Sequence, residues 1–291
     1  MARFYDTHAH LDYPDFVPDL PEVIQRAQAA GIERINCIGT DFDSSRRALE
    51  LAERFDGVYA VVGWHPSDAL RAPEDIRPTL RELASHPKVV ALIRPTLREL
   101  ASHPKVVALG ETGLDYYRLP SRQPGKTAAD DERYKKRQAE LFDQHLEVAA
   151  ELGLSCVIHQ RESLDDTISR LERFADRVRG VFHCFSGDAA SMQRILALNS
   201  LVSFTGIATF KNAQNIRDVI AAAPEGKFML ETDCPFLAPV SYRGKRCEPA
   251  YVKEIAETAA LARGCSLEEL SQMTCDAADG FFYRRTTAAH R

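Results

Sequence analysis

FYDTHAH, residues 4–10, sets the reading of this chain. It reads as a β-strand, and on a strand residues i and i+2 point to one face, so His8 and His10 can grip one ion. Asp6 shares that face and is a candidate for orienting them. The same arrangement, an apolar strand-like run ending in a metal-type side chain, recurs at Glu111 in KVVALGE (105–111), His159 in SCVIHQ (155–160), His183 in GVFHCF (180–185) and Asp233 in KFMLETD (227–233). One histidine at a strand end is most often a packed core residue. Five strand ends that all carry ligand-type groups argue for a metal site assembled from separated strands.

Three further runs read as strands, RINCIG (34–39), VYAVVGW (58–64) and LVSFTGI (201–207), which makes eight. Between them lie amphipathic helical stretches at 21–31, 44–55, 136–153 and 189–199, with Gly31 and Gly153 as C-terminal stops. Strand–helix alternation repeated eight times predicts an α/β chain folded as a (β/α)8 TIM barrel spanning residues 1–291 as a single hydrolase domain. An open doubly wound sheet is the rival. Ligands spread over the first, fourth, fifth, sixth and eighth strands converge better in a closed ring, at the C-terminal strand ends.

The bulk properties fit a globular hydrolase. The chain has 291 residues, 45% apolar and 27% charged, with a formal charge of −5. It has no apolar run of the ~20 residues that span a bilayer, and no secretory signal precedes the first strand. An acidic balance means that a nucleic-acid substrate would be drawn by local basic loops and metal ions rather than by a basic coat. The seven cysteines are Cys37, Cys156, Cys184, Cys234, Cys247, Cys265 and Cys275, an odd number with no CxxC spacing. A reducing cytoplasm is the expected location.

IRPTLRELASHPKVVAL occurs at 76–92 and again, identically, at 93–109. Two copies cannot build a solenoid, so this reads as a 17-residue tandem duplication before the fourth strand. Only the second copy runs into Gly110 and Glu111, so residues 105–111 should form that strand. The first copy is expected to lie outside the ring as extra helix or loop, with Leu80, Leu83, Val89 and Val90 packed on outer helices or against a second subunit.

Glu111 can bridge two ions, because a carboxylate offers two oxygens. Glu231 shares a strand face with Asp233 and reads as structural. Around the same rim, His65 in GWHP reads as a substrate contact rather than a ligand, and Arg161 as a phosphate contact. SYRGKR (241–246) follows the eighth strand and offers Arg243, Lys245 and Arg246 to phosphates. Of Trp64, Tyr116, Tyr117 and Phe185, one or two could stack on bases.

Taken in order, DTHAHLD, GWHP, GETGLDYY, QAELFDQHLEVAAELGLSCVIHQRES, HCFSG and LETDCPFLAPVSYRGKRCEPAYV resemble the TatD-type metal-dependent deoxyribonucleases of the amidohydrolase superfamily. The resemblance covers the chain apart from one repeat copy. It implies two divalent ions (Mg, Mn or Zn), one held by His8, His10 and Asp233, the other by His159 and His183, with Glu111 shared. It implies hydrolysis of DNA phosphodiesters from the 3′ end, with single strands or 3′ ends as the partner. Cys247 stands where the family has Asn in RGKRNEP, and Ala277 where it has Asn near the C-terminus. Asp233 and Glu111 are then the catalytic pair, Asp233 also accepting a proton from water, with His65 and Arg161 positioning the phosphate. Two other readings are kept: ester hydrolysis on aminoacyl-tRNA, and a non-catalytic scaffold whose site the duplication compromised.

Overall fold

The structure, a computed structural model, describes residues 2–84 and 105–283. All eight apolar runs form strands: β1 (Phe4–Ala9), β2 (Ile32–Ile38), β3 (Val58–Val62), β4 (Val106–Asp115), β5 (Ser155–Arg161), β6 (Gly180–Phe182), β7 (Leu201–Phe204) and β8 (Phe228–Leu230). Neighbours pair in parallel and in chain order. Two backbone hydrogen bonds then join the last segment to the first: Asp233 N–H donates to His8 O at 2.9 Å, and His10 N–H to Cys234 O at 2.8 Å. The ring therefore closes where the ligand-type residues lie, as a TIM barrel rather than an open sheet.

The outer layer comprises, among the described residues, α1 (Leu20–Ala29), α2 (Phe42–Arg54), α3 (Arg77–Ala84), α4 (Ala128–Leu152), α5 (Leu164–Glu172), α6 (Ala189–Ala197), α7 (Gln214–Ala222), α8 (Val252–Arg263) and α9 (Leu267–Ala278). None is long and apolar enough to cross a membrane. The helix expected at 136–153 starts at Ala128 because Thr127 and Asp130 form a capping box, and it stops at Gly153 with φ 64°. Inside the ring, Val61, Val107, Val157, Val181, Leu201 and Met229 make one apolar cluster, joined by Cys275, Ala278 and Phe281 from the C-terminal helices. Two residues on from that layer, on the same strand face, stand His159, His183 and Glu231, and two beyond Glu231 stands Asp233. The apolar layer is the floor on which the polar site rests.

The duplication is divided between two elements. β4 begins at Val106, in the second copy. The first copy, expected as an extra piece, instead supplies α3, the barrel's own helix between β3 and β4. Its period explains the docking: Ile76, Leu80, Leu83 and Ala84 are buried, while Arg77 and Arg81 pair with Glu147 and Glu151 of α4, both at 2.8 Å. Val89 and Val90 lie outside the described residues.

Candidate metal centre at the barrel mouth

His8, His10, Glu111, His159, His183 and Asp233 come from five strands or their ends, and the barrel brings all six together. His8 Nε2 lies 3.3 Å from His10 Nε2, 3.4 Å from Glu111 Oε2 and 3.6 Å from Asp233 Oδ1. His10 Nε2 lies 3.5 Å from the same Asp233 oxygen. On the other side of the carboxylate, His159 Nδ1 and His183 Nε2 are each 2.9 Å from Glu111 Oε1 and 3.1 Å from each other. Donors on a sphere of ~2.1 Å radius stand ~3.0–3.4 Å apart at octahedral or tetrahedral angles. The spacing and the nitrogen–oxygen donor set thus fit one divalent ion on each side of Glu111.

Local backbone holds these groups in place. Gly63 lets β3 approach β4 closely, since a Cβ there would sit 2.5 Å from Gly110 O, beside Glu111. Asp233 and Cys184, the residue after His183, hold φ of 58° and 48°, a left-handed conformation that non-glycine residues adopt at a cost of ~1 kcal/mol or more. Asp6, buried within β1, accepts from Thr232 N–H (2.9 Å) and its hydroxyl (2.6 Å). That bond ties β1 to the segment carrying Asp233. Glu231 accepts from Cys184 N–H (2.6 Å) and Ser203 Oγ (2.7 Å), the structural role expected of it.

For three of the rings the partner of one nitrogen identifies the role of the other. His10 Nδ1 faces Ile38 O at 3.1 Å, so Nδ1 carries the proton and Nε2 presents a lone pair to the cluster. His159 Nε2 faces Asp115 Oδ2 at 3.1 Å, so its Nδ1 is the free donor atom. His65 has the opposite sense. Its Nε2 also approaches Glu111 Oε1, at 3.2 Å, and could be grouped with Glu111 and His159 as a third ligand set. But its Nδ1 accepts the Ser67 N–H at 3.1 Å, so the neutral ring carries its proton on Nε2. His65 is a hydrogen-bond donor aimed into the site.

The electrostatics follow. Burial opposes charge on Glu111, yet the imidazoles of His183, His65 and His159 hold it well below the ordinary carboxylate range. Burial opposes charge on Asp233 too, and His10, His8 and His183 overcome it. Burial pushes His8 and His65 down. His10, His159 and His183 are raised despite burial, by Asp233 for the first, Asp115 and Glu111 for the second, and Glu111 for the third. Carboxylates packed this tightly among imidazoles call for compensating cationic charge.

A cavity of about 630 Å³ opens above these residues, lined among others by His65, Arg118, Arg161, Tyr13 and Phe236. Arg161 stacks on Tyr117, 3.6 Å from the ring centre. Among the described residues neither Arg118 nor Arg161 has a carboxylate within ion-pair distance. The basic loop after β8 behaves otherwise. Arg246 pairs with Asp19 (2.7 Å) and Glu248 (2.8 Å), in a network shared with Arg26. Arg243 lies 4.8 Å from the Phe210 ring centre and Lys245 6.0 Å from that of Tyr242. None of the three lines the cavity, so the structure does not bring them to the site. The sequence reading missed Asp115, Arg118, Tyr13 and Phe236. Asp115, four residues past Glu111 in GETGLDYY, and Phe236, in LETDCPFLAPV, lay inside stretches already singled out.

Comparison with known proteins now adds to this geometry. The family model described as TatD related DNase matches residues 5–283. The chain is 38% identical over 279 residues to the Bacillus subtilis "Uncharacterized metal-dependent hydrolase YabD", covering 96% of this chain and 98% of that protein. It is 29% identical to the Klebsiella pneumoniae "3'-5' ssDNA/RNA exonuclease TatD", covering 93% and 94%. Among solved structures, YJJV, a TatD homolog from Escherichia coli, superposes with a TM-score of 0.79 at 29% identity over 97% of this chain and 98% of that one. With the family model matched from the first strand to the last helical turn, this chain belongs to the TatD-related DNase family.

Proposed function

We propose that this protein is a divalent-metal-dependent nuclease that hydrolyses phosphodiester bonds, acting from the 3′ end of single-stranded DNA. The observation that carries the reading is the convergence of two donor sets on the two oxygens of Glu111, beneath a cavity lined by Arg118 and Arg161. Relatives named as metal-dependent hydrolases and as a 3′–5′ exonuclease support it.

In this reading His8 Nε2, His10 Nε2 and Asp233 would hold one ion, and His159 Nδ1 and His183 Nε2 a second, with Glu111 between. Divalent ions bound there supply Lewis acidity and bring the pKa of water toward neutrality. The chain's own groups do the rest. Asp233 accepts the proton that the attacking water gives up. His65 donates its Nε2–H to a non-bridging phosphoryl oxygen, where charge accumulates in the transition state. Arg118 and Arg161 bind phosphate, and Asp115 holds His159 in its ligating orientation.

The test is elemental analysis of the purified protein, then removal of metal and add-back of Mg²⁺, Mn²⁺ or Zn²⁺ in an assay on 3′-labelled single-stranded DNA, run beside charged tRNA. Release of mononucleotides that stops on chelation and returns with metal is the expected result. Hydrolysis confined to the aminoacyl ester, or none with a fully loaded site, would overturn the reading.

A further inference from the structure

The cavity has two unlike walls. On the β4–β5 side stand the guanidiniums of Arg118 and Arg161. On the β1–β8 side stand Tyr13, Phe236 and Leu237. Tyr13 stacks on His10, ring centres 4.8 Å apart at 29°, so it is fixed directly against a proposed ligand. Phe236 packs edge-on to Tyr13, 6.0 Å away at 83°, and to His10, 6.4 Å away at 66°. Phe236 nevertheless remains 51% exposed, a large aromatic left open three residues from Asp233. Its backbone is held: Phe236 N–H donates to Asp233 O at 3.0 Å, and the next residue, Leu237, has φ 55°.

The chemistry of a 3′ end is asymmetric in the same way. Hydrolysis forms a bond from the water oxygen to phosphorus and breaks the bond from phosphorus to the upstream O3′, which takes up a proton. The released nucleotide keeps the phosphate, and beyond it carries only a sugar and a base. The retained chain continues to the next phosphate. One side of the scissile group therefore needs an aromatic surface, since every base has a π-face, and the other needs a cation.

We infer that Phe236, backed by Tyr13, is the stacking platform for the terminal nucleobase, and that Arg118 and Arg161 take the phosphate upstream of the scissile one. The placement rests on the nuclease reading and adds a direction to it: the strand crosses the mouth from the β4–β5 side and ends against the β8 loop. Because stacking does not read base edges, the platform predicts weak preference among the four bases.

Three oligonucleotides of one sequence test it: unmodified, lacking the 3′-terminal base, and with a neutral methylphosphonate at the linkage upstream of the scissile one. Each is assayed for kcat and KM with the wild type, Phe236→Ala, Phe236→Trp and Arg161→Ala, with metal content measured for every variant. The wild type should prefer the intact end over the abasic end about tenfold in kcat/KM, within the range of base–aromatic stacking. Phe236→Ala should lose that preference and Phe236→Trp keep it. Arg161→Ala should become indifferent to the methylphosphonate while retaining the base preference. A Phe236→Ala enzyme with normal metal and an undiminished preference would overturn the placement alone. A wild type, fully loaded, that leaves all three oligonucleotides intact would overturn the nuclease reading and the placement with it.

Discussion

At the scale of single residues, position around Glu111 decides what each group can contribute. Replacing Glu111 by Ala or Asp233 by Asn removes a carboxylate from the centre of the donor set, and should cut hydrolysis by at least ~10²-fold, the scale of losing a preorganised charge. Steady-state rates on variants with native circular dichroism check this. His65→Ala is expected to differ in kind: turnover falls, but metal content by elemental analysis stays that of the wild type, because Nε2 carries a proton. Loss of a metal equivalent would make His65 a ligand. The two groups of arginines separate in the same way. Arg161→Ala should weaken DNA binding and flatten its dependence on salt, since fewer counterions are released. Arg246→Ala should leave that slope alone and lower stability by about 1 kcal/mol, because its partners are Asp19 and Glu248. The six ligand-type residues were legible in the sequence because imidazole or carboxylate at the end of an apolar run is costly without a partner. SYRGKR misled because a charge run does not reveal its partner. For Arg246 that partner is Asp19, on the far side of the sequence and at the entrance to α1.

At the scale of elements, the loop after β3 depends on a helix distant in sequence. His145, buried in α4, donates Nδ1–H to Leu141 O at 2.7 Å and accepts the Trp64 N–H at 3.0 Å through Nε2. That bond fixes the backbone beside His65. Burial pushes His145 down to about 4 from 6.5. The unfolded chain therefore takes up this proton near pH 6.5, while the folded chain resists it until about pH 4. The stability it confers is complete above pH 6.5 and is lost as pH falls through 4, a span of about 3 kcal/mol. Denaturant titrations between pH 4 and 7 should show a shallower acid slope in His145→Gln than in the wild type. Equal slopes would remove the claim. Nothing in FDQHLEV marked this histidine, since on a helix it shares the spacing of ordinary core positions. Strand order was legible from alternation alone. The role of α3 was not, because two identical copies give no local reason to assign that helix to the first.

At the scale of the whole molecule, the duplication and the closure of the ring set the expectations. Deleting either copy yields the same sequence, in which a helix equivalent to α3 meets the strand equivalent to β4 through only Ser-His-Pro-Lys. That length is ordinary for such connections, whereas residues 85–105 now make the join. The deletion should leave metal content and activity unchanged and raise or preserve thermal stability, because the shorter connection costs no more to close. Thermal unfolding and elemental analysis check it, and a deletion variant that unfolds would show that the extra segment is integral. The closure of the ring carries a consequence for synthesis. His8 and His10 leave the ribosome with the first strand, but Asp233, and the two backbone bonds that seat it between them, arrive only after all eight strands have been made. Until then the first half of the centre is an open pair of imidazoles. Loading of that ion is thereby postponed until the eighth strand has been made, so that the metal certifies a closed ring.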